Sequence, residues 1–159
     1  MEAKPTVYLE TSIIGYLTSR PSRDLITTAN QQLTHEWWND RREGFDIFIS
    51  QFVIDECGEG DAVAAQERLD VLTDIRQLDT SEDVENVAEE LVRPVPLPEK
   101  AGVDSLHIAV ATVHGMEYLL TWNCTHIANA ALRPQIEAVC RSFGYEPPTI
   151  CTPQELMEL

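Results

Sequence analysis

The stretch VDSLHIAVATVHGMEYLLTWN, residues 103–123, carries the pattern that decides the fold class. Its first part is an apolar run that opens with Asp104 and stops at Gly115, which is typical of a buried helix ended by glycine. A second and shorter apolar segment, YLLT at 118–121, is typical of a buried strand and is followed by Trp122 and the polar residue Asn123. A helix that feeds a short buried strand predicts part of an α/β fold.

The rest of the chain repeats this alternation of strands and helices. Strands are predicted at 6–11, 45–50, 77–79, 118–121 and 148–151. One or two helical turns are predicted at 13–20, and helices at 22–42, 51–58, 61–76, 82–92, 101–114 and 126–144. Ser22 and Ser81 are predicted N-caps, Pro134 is expected to kink or restart the last helix, and TPQE at 152–155 predicts a capping box. The proline-rich segment 93–99 is predicted to be a loop. The sequence therefore predicts one α/β domain, residues 1–159, with a mostly parallel central sheet flanked by helices.

The charge of the chain restricts its partners. There are 11 basic and 27 acidic residues, which gives a net charge of −16 and predicts repulsion from polyanions. A nucleic-acid role therefore requires metal ions or a local basic patch, for which Arg20, Arg23, Arg41 and Arg42 are the candidates. The acidic excess also suits a basic partner, and it equally fits a solvated acidic surface.

Composition also bears on the cellular compartment. No apolar run is long enough to span a membrane, and the first ten residues do not have the pattern of a secretory signal. The four cysteines are scattered without a CxxC pair, which favours reduced thiols over a disulfide framework. We therefore expect a cytoplasmic protein without membrane association.

Four polar residues follow predicted strands or begin helices. These residues are Glu10, Glu56, Asp104 and Asn123. Ligand sites in parallel sheets lie beyond the carboxyl ends of the strands, so these side chains are expected to converge. Carboxylates brought together repel one another unless a cation lies between them, and hard oxygen ligands suit Mg²⁺ or Mn²⁺. Metal-assisted hydrolysis of a phosphodiester fits this arrangement. Each residue taken alone also has a structural interpretation: a helix-dipole acid, a surface acid or a turn residue.

At these residues the chain resembles PIN-domain proteins, most of all the VapC-type toxins of bacterial toxin–antitoxin pairs. The resemblance covers nearly the whole chain and lies in VYLETSIIGYL, ISQFVIDEC, AGVDSLHIAVA, YLLTWNCTHIAN and TPQELME. The segment containing DSLHIA is the most specific match, because it is very close to the DALHIA helix of that family. Two positions depart from the family pattern: Glu10 and Asn123 stand where aspartates are usual.

The resemblance implies a Mg²⁺- or Mn²⁺-dependent endoribonuclease, with Glu10, Glu56 and Asp104 as metal ligands and Asn123 at the fourth position. It also implies an RNA substrate, a homodimer and a small antitoxin partner. The expected substrate contacts are Thr11, Ser12, Thr121, Arg20 and Arg23. Because Glu10 is one methylene longer than aspartate and Asn123 carries no charge, we expect weaker metal binding or a preference for one ion.

Two other functions remain open from the sequence. The altered positions and the acidic charge fit a PIN-like binding module that has lost catalysis, and the acids alone would also serve a Mg²⁺-dependent phosphatase. A zinc site at His107 and His114, or at Cys124 and His126, lacks a supporting motif, and His107 and His114 are expected to be core or surface histidines. A nucleophilic pair of Cys124 and His126 is not excluded by the sequence. Of Trp37 and Trp38, one is expected in the core, and the other is available to pack, to stack on a base or to meet a partner.

Overall fold

The computed structural model describes residues 3–93 and 99–157. It contains five strands, β1 (Thr6–Leu9), β2 (Asp46–Ser50), β3 (Arg76–Leu78), β4 (Tyr118–Leu120) and β5 (Thr149–Cys151). The α-helices are α1 (Thr11–Thr18), α2 (Leu25–Glu36), α3 (Gln51–Cys57), α4 (Ala62–Val71), α5 (Glu82–Val92), α6 (Glu99–Val113) and α7 (Arg133–Ser142). The predicted alternation of strands and helices is confirmed.

All five strands are parallel, in the order β3-β2-β1-β4-β5. The chain moves outward from β1 through β2 and β3, then returns to place β4 on the other side of β1. The strand order therefore reverses between β1 and β4, which is where sheets of this kind place their ligand sites. Helices cover the sheet, and its central side chains Val7, Leu9, Ile49 and Leu119 are fully buried.

The first strand is shorter than predicted. β1 ends at Leu9, and Thr11 already belongs to α1, so the predicted extension of the strand to residue 11 is wrong. Glu10 has extended backbone angles and is the N-cap residue, and its carbonyl accepts the first helical hydrogen bond from Ile13 N–H at 3.0 Å. This abrupt change from strand to helix places the Glu10 side chain at the carboxyl edge of the sheet.

The start of the second helix also differs from the prediction. Asp24 is the N-cap of α2, and its carboxylate accepts from the Thr27 backbone N–H at 2.9 Å. Ser22, the predicted cap, instead accepts from the Asp24 N–H at 3.0 Å. An ionised carboxylate is a stronger acceptor than a hydroxyl and interacts favourably with the helix dipole, which explains the choice of Asp24.

The predicted helix 126–144 is wrong over its first seven residues, which form turns before α7 begins at Arg133. Pro134 lies in the first turn of α7, where its missing N–H costs no helical hydrogen bond, so the predicted restart is confirmed. The preceding turns are organised by Asn123, whose carbonyl accepts from the N–H groups of Ile127 and Ala128. Competition from these local hydrogen bonds delays the start of the helix.

Two predicted helix caps are confirmed. Ser81 caps α5, and the capping box of Thr152 and Glu155 is present, at a short 3₁₀-helix (153–156). Of the predicted proline-rich loop, residues 94–98 lie outside the described residues, and α6 begins two residues before its predicted start.

The four cysteines are free, and burial raises the pKa of Cys57 to about 11. Within the described part of the chain, no helix is long and apolar enough to cross a membrane.

The adjacent tryptophans lie on a π-helical turn (37–41) that follows α2. Trp37 is fully buried in the core, as expected for one of the pair. Trp38 is half-buried, and the Arg42 guanidinium lies 4.1 Å from its ring centroid in a cation–π contact. The second tryptophan therefore packs against a neighbouring side chain of its own chain.

The cap of α2 predicts a pH-dependent contribution to stability. Hydrogen bonds from Thr27, first from its backbone N–H and then from its hydroxyl, hold the pKa of Asp24 below its usual value of 3.8. Since the folded pKa is depressed, the stabilisation is fully present above the unfolded pKa and is lost as the pH falls through the folded pKa. In urea unfolding, the stability advantage of the wild type over Asp24→Asn should be constant above about pH 5. It should decrease below about pH 4, as Asp24 becomes protonated. The same difference at every pH would contradict this prediction.

Candidate metal centre

The acids predicted from the sequence lie at the carboxyl edge of the sheet. Glu10 follows β1 directly, and Glu56 lies in the second turn of α3, which follows β2 without a loop. Thr121 follows β4, and its neighbour Leu120 accepts from the Glu10 backbone N–H at 3.0 Å. The strand pairing of β1 with β2 and β4 therefore sets the positions of these side chains.

Glu10 is 4% exposed, and two hydroxyls hold its carboxylate. The Oε1 atom accepts from Ser12 Oγ at 2.5 Å and from Thr121 Oγ1 at 2.6 Å. Ser12 Oγ also accepts from the Trp122 backbone N–H at 2.8 Å, so one hydroxyl connects α1 to the segment after β4. A buried carboxylate is costly unless it is hydrogen-bonded, and these two donors offset part of that cost.

Glu56 is held in the same manner by different donors. Its Oε1 atom accepts from Thr11 Oγ1 at 2.7 Å and from His107 Nε2 in a short contact. Thr11 and Ser12 are adjacent in the first turn of α1, and each holds one of the two glutamates. The hydroxyls that were predicted to contact substrate thus have carboxylate partners, and direct contact with substrate stays a prediction.

Glu10, Glu56 and His107 form a group that can hold a metal ion. One ligand atom from each of the three lies within 4.8 Å of the others. Two carboxylate charges at about this separation repel by about 3 kcal/mol at an effective dielectric constant of about 20. A divalent cation between them would remove this repulsion, and carboxylate oxygens are suitable donors for Mg²⁺ and Mn²⁺. The two carboxylates therefore fit the predicted ion, while His107 contacts Glu56.

His107 belongs to this site, although the sequence predicted only a core or surface histidine. It is fully buried, as that interpretation allows, but both ring nitrogens face polar partners of the site. The signal was its spacing: His107 lies three residues after Asp104, so both side chains point to one face of α6. His114, the other histidine of the zinc pair considered from the sequence, contacts the Asp79 carbonyl instead.

Asp104 and Asn123 take up different positions from the two glutamates. Asp104 is buried, and its Oδ2 lies 2.9 Å from His126 Nδ1. The Asn123 Oδ1 atom accepts from the His126 backbone N–H at 3.0 Å, so Asn123 and Asp104 both orient His126. His126, with 28% of its side chain exposed, can be reached by solvent beside the acids. The predicted roles of Asp104 and Asn123 as metal ligands stay predictions.

The predicted basic patch is divided. Arg20 and Arg23 lie exposed in the segment between α1 and α2. Arg42 precedes β2 and therefore lies at the amino end of the sheet, opposite the acids. It lines a surface cavity of about 630 Å³ there, together with Trp38 and Asp46. Arg41 directly precedes Arg42, so of the four arginines Arg20 and Arg23 stay the predicted contacts for a substrate.

Comparison with known proteins identifies the fold. No family model matches the sequence, and no curated protein matches it. A chain in the crystal structure of VapBC2 from Rickettsia felis, bound to a DNA fragment from their promoter, has a similar structure with a TM-score of 0.59. The sequences are 15% identical, and the alignment covers 92% of this chain and 98% of that chain. The chain therefore has the PIN-like α/β fold. At the level of the fold, this confirms the resemblance to PIN-domain proteins that its sequence indicated.

Proposed function

We propose that the protein is a metal-dependent endoribonuclease that hydrolyses RNA phosphodiester bonds. The observation that carries this proposal is the pair of glutamates at the strand-order reversal of a PIN-like sheet. Both carboxylates are held by paired donors within reach of a common ion. Preorganised charged groups of this kind lower the reorganisation energy of the chemical step.

Glu10 and Glu56 would hold a Mg²⁺ or Mn²⁺ ion in this scheme, and Asp104 and Asn123 would complete the site directly or through water. When bound, such an ion lowers the pKa of a water molecule and neutralises charge that develops on the phosphate. Thr11, Ser12 and Thr121 orient the glutamates, while Arg20 and Arg23 would contact phosphates of the flanking RNA. The scheme requires no nucleophile from the protein.

We further propose that the protein is the toxin of a toxin–antitoxin pair and acts in the cytoplasm. Support comes from the fold, which it shares with a chain of the VapBC2 structure. An antitoxin would bind this chain and suppress its activity, and a homodimer is the proposed assembly. A basic antitoxin segment would be attracted by the net charge of −16.

A second candidate function is a PIN-like binding module without catalysis. It is favoured by one observation: among the described residues, the side chains whose ligand atoms lie within 4.8 Å of one another are Glu10, Glu56 and His107, and Asp104 is not among them. If this arrangement persists, the centre would contain only two carboxylates and would bind a divalent ion weakly. The protein would then have lost catalysis and would still bind an RNA or protein partner.

Cleavage of a panel of single-stranded RNAs distinguishes the two functions. Wild type is compared with Asp104→Asn in Mn²⁺, in Mg²⁺ and in EDTA. We expect the wild type to cleave only with a divalent ion, and Asp104→Asn to lose about 10²-fold or more in rate, because the lost charge is worth several kcal/mol in the transition state.

Asp55→Asn is the matched control, since Asp55 neighbours Glu56 on α3 but is exposed and bonded to Gln51. This control should cleave like the wild type. If folded wild type with either ion at millimolar concentration cleaves no faster than Asp104→Asn, the nuclease proposal is wrong and the binding module is favoured.

A further inference from the structure

A hydrogen-bond network of buried polar groups lies beneath Glu56. His107 has no exposed surface, and its Nδ1 atom lies 2.7 Å from the Tyr8 hydroxyl. That hydroxyl lies 2.7 Å from Ser50 Oγ. Three different elements contribute to it: Tyr8 comes from β1, Ser50 from the end of β2, and His107 from α6. The network reaches the Glu56 carboxylate through His107 Nε2.

The chemistry of these groups assigns the direction of the hydrogen bonds. An ionised carboxylate only accepts, so His107 Nε2 must carry the proton that it shares with Glu56. In the neutral imidazole, Nδ1 is then the acceptor, and the Tyr8 hydroxyl must donate to it. Ser50 in turn donates to the Tyr8 oxygen. Burial raises the pKa of the Tyr8 hydroxyl far above its usual range, so this donor keeps its proton.

We propose that His107 is a positioning residue of the metal centre: the Tyr8 hydroxyl on Nδ1 selects its Nε2–H tautomer, and this N–H holds Glu56 in the orientation that binds the ion. The inference rests on the proposed function, because it assumes that Glu56 is a metal ligand. It follows a general feature of metal centres, in which partners behind the ligands fix ligand orientation and contribute to affinity.

Burial makes this orientation specific. His107 packs edge-on against the ring of Phe52, at a centroid distance of 6.3 Å, and is tilted against the Tyr8 ring at 5.8 Å. With both rings fixed and both nitrogens occupied, the imidazole has no alternative position without leaving a buried polar group unpaired. The Glu56 carboxylate therefore meets a rigid donor on the side facing the core.

The first experiment measures Mn²⁺ affinity by EPR of free Mn²⁺, which does not depend on catalysis. We expect His107→Leu to bind Mn²⁺ about 10- to 100-fold more weakly than wild type. His107→Gln can still donate an amide N–H to Glu56 and should recover part of the loss. His114→Gln, a change at the exposed histidine that directly follows the same helix, should bind like the wild type.

A double-mutant cycle separates positioning from a merely structural role. In a Glu56→Gln background, the change His107→Leu should cost less than about 3-fold in Mn²⁺ affinity, because the carboxylate that it positions is absent. If His107→Leu leaves the affinity unchanged, or costs the same factor in both backgrounds, the proposal is overturned.

A tautomer measurement keeps the proposal testable should the leucine variant fail to fold. The ring ¹⁵N shifts of His107 in the wild type should show a protonated Nε2 and an unprotonated Nδ1. In Tyr8→Phe, the loss of the donor to Nδ1 should mix the two tautomers and weaken Mn²⁺ binding. A wild-type ring protonated on Nδ1 alone would overturn the proposal, while RNA cleavage that depends on Glu10 would still support the nuclease.

Discussion

Replacing Glu10 with glutamine is expected to lower the rate of RNA cleavage by about 10³-fold, since a ligand charge worth about 4 kcal/mol in the transition state is removed. Glutamine keeps the size of the side chain, and its carbonyl oxygen can still accept from Ser12 and Thr121. The fold should therefore survive. Cleavage and Mn²⁺ binding are measured on the same preparation.

The same variant should be at least as stable as the wild type in metal-free buffer. Removing one of two neighbouring carboxylate charges relieves their repulsion, which is a common trade of stability against activity at functional sites. Thermal unfolding in EDTA tests this, and Asp55→Asn again provides the exposed control. Cleavage by Glu10→Gln within a few-fold of wild type would remove Glu10 from the proposed centre.

A companion variant tests the reach of this side chain. Glu10→Asp introduces the residue usual in the PIN-domain proteins that the sequence resembles, but it withdraws the carboxylate by about 1.5 Å, the length of one C–C bond. Ser12 and Thr121 lie at 2.5 and 2.6 Å from the glutamate oxygen, so both contacts would be broken or stretched. We expect a partial loss of activity, since the surrounding hydroxyls are arranged for the longer acid.

Leu119→Ala is expected to destabilise the protein by about 2–5 kcal/mol, the range for a leucine truncated in a closely packed core. Leu119 is fully buried in β4, between the central strand β1 and the edge strand β5. A cavity there would loosen the strand that carries Thr121 to Glu10. Urea unfolding followed by circular dichroism measures the effect.

Leu25→Ala provides the matched control, because Leu25 is 86% exposed at the start of α2. The same chemical change should alter the free energy of unfolding by less than about 0.5 kcal/mol there. Equal effects at the two leucines would contradict the assignment of β4 to the centre of the core.

The fold class and most elements were predictable because they depend on local patterns. The apolar run of α6 with its glycine stop and the cap of α5 are readable from nearby residues. The errors arose where local hydrogen bonds compete with a periodic pattern. Asp24 replaces Ser22 as a cap, and the turns organised by Asn123 interrupt the pattern of the last helix.

By itself, the sequence determined the parallel α/β architecture and the placement of Glu10 and Glu56 at the carboxyl edge of the sheet, because hydrophobic periodicity and chain order carry that information. Only the tertiary structure decided the partners of each polar group. His107 joins Tyr8 and Glu56 across 99 and 51 residues of sequence, and Asp104 turns to His126. Which groups meet across such separations depends on strand register and helix packing, and spacing along the chain does not encode either.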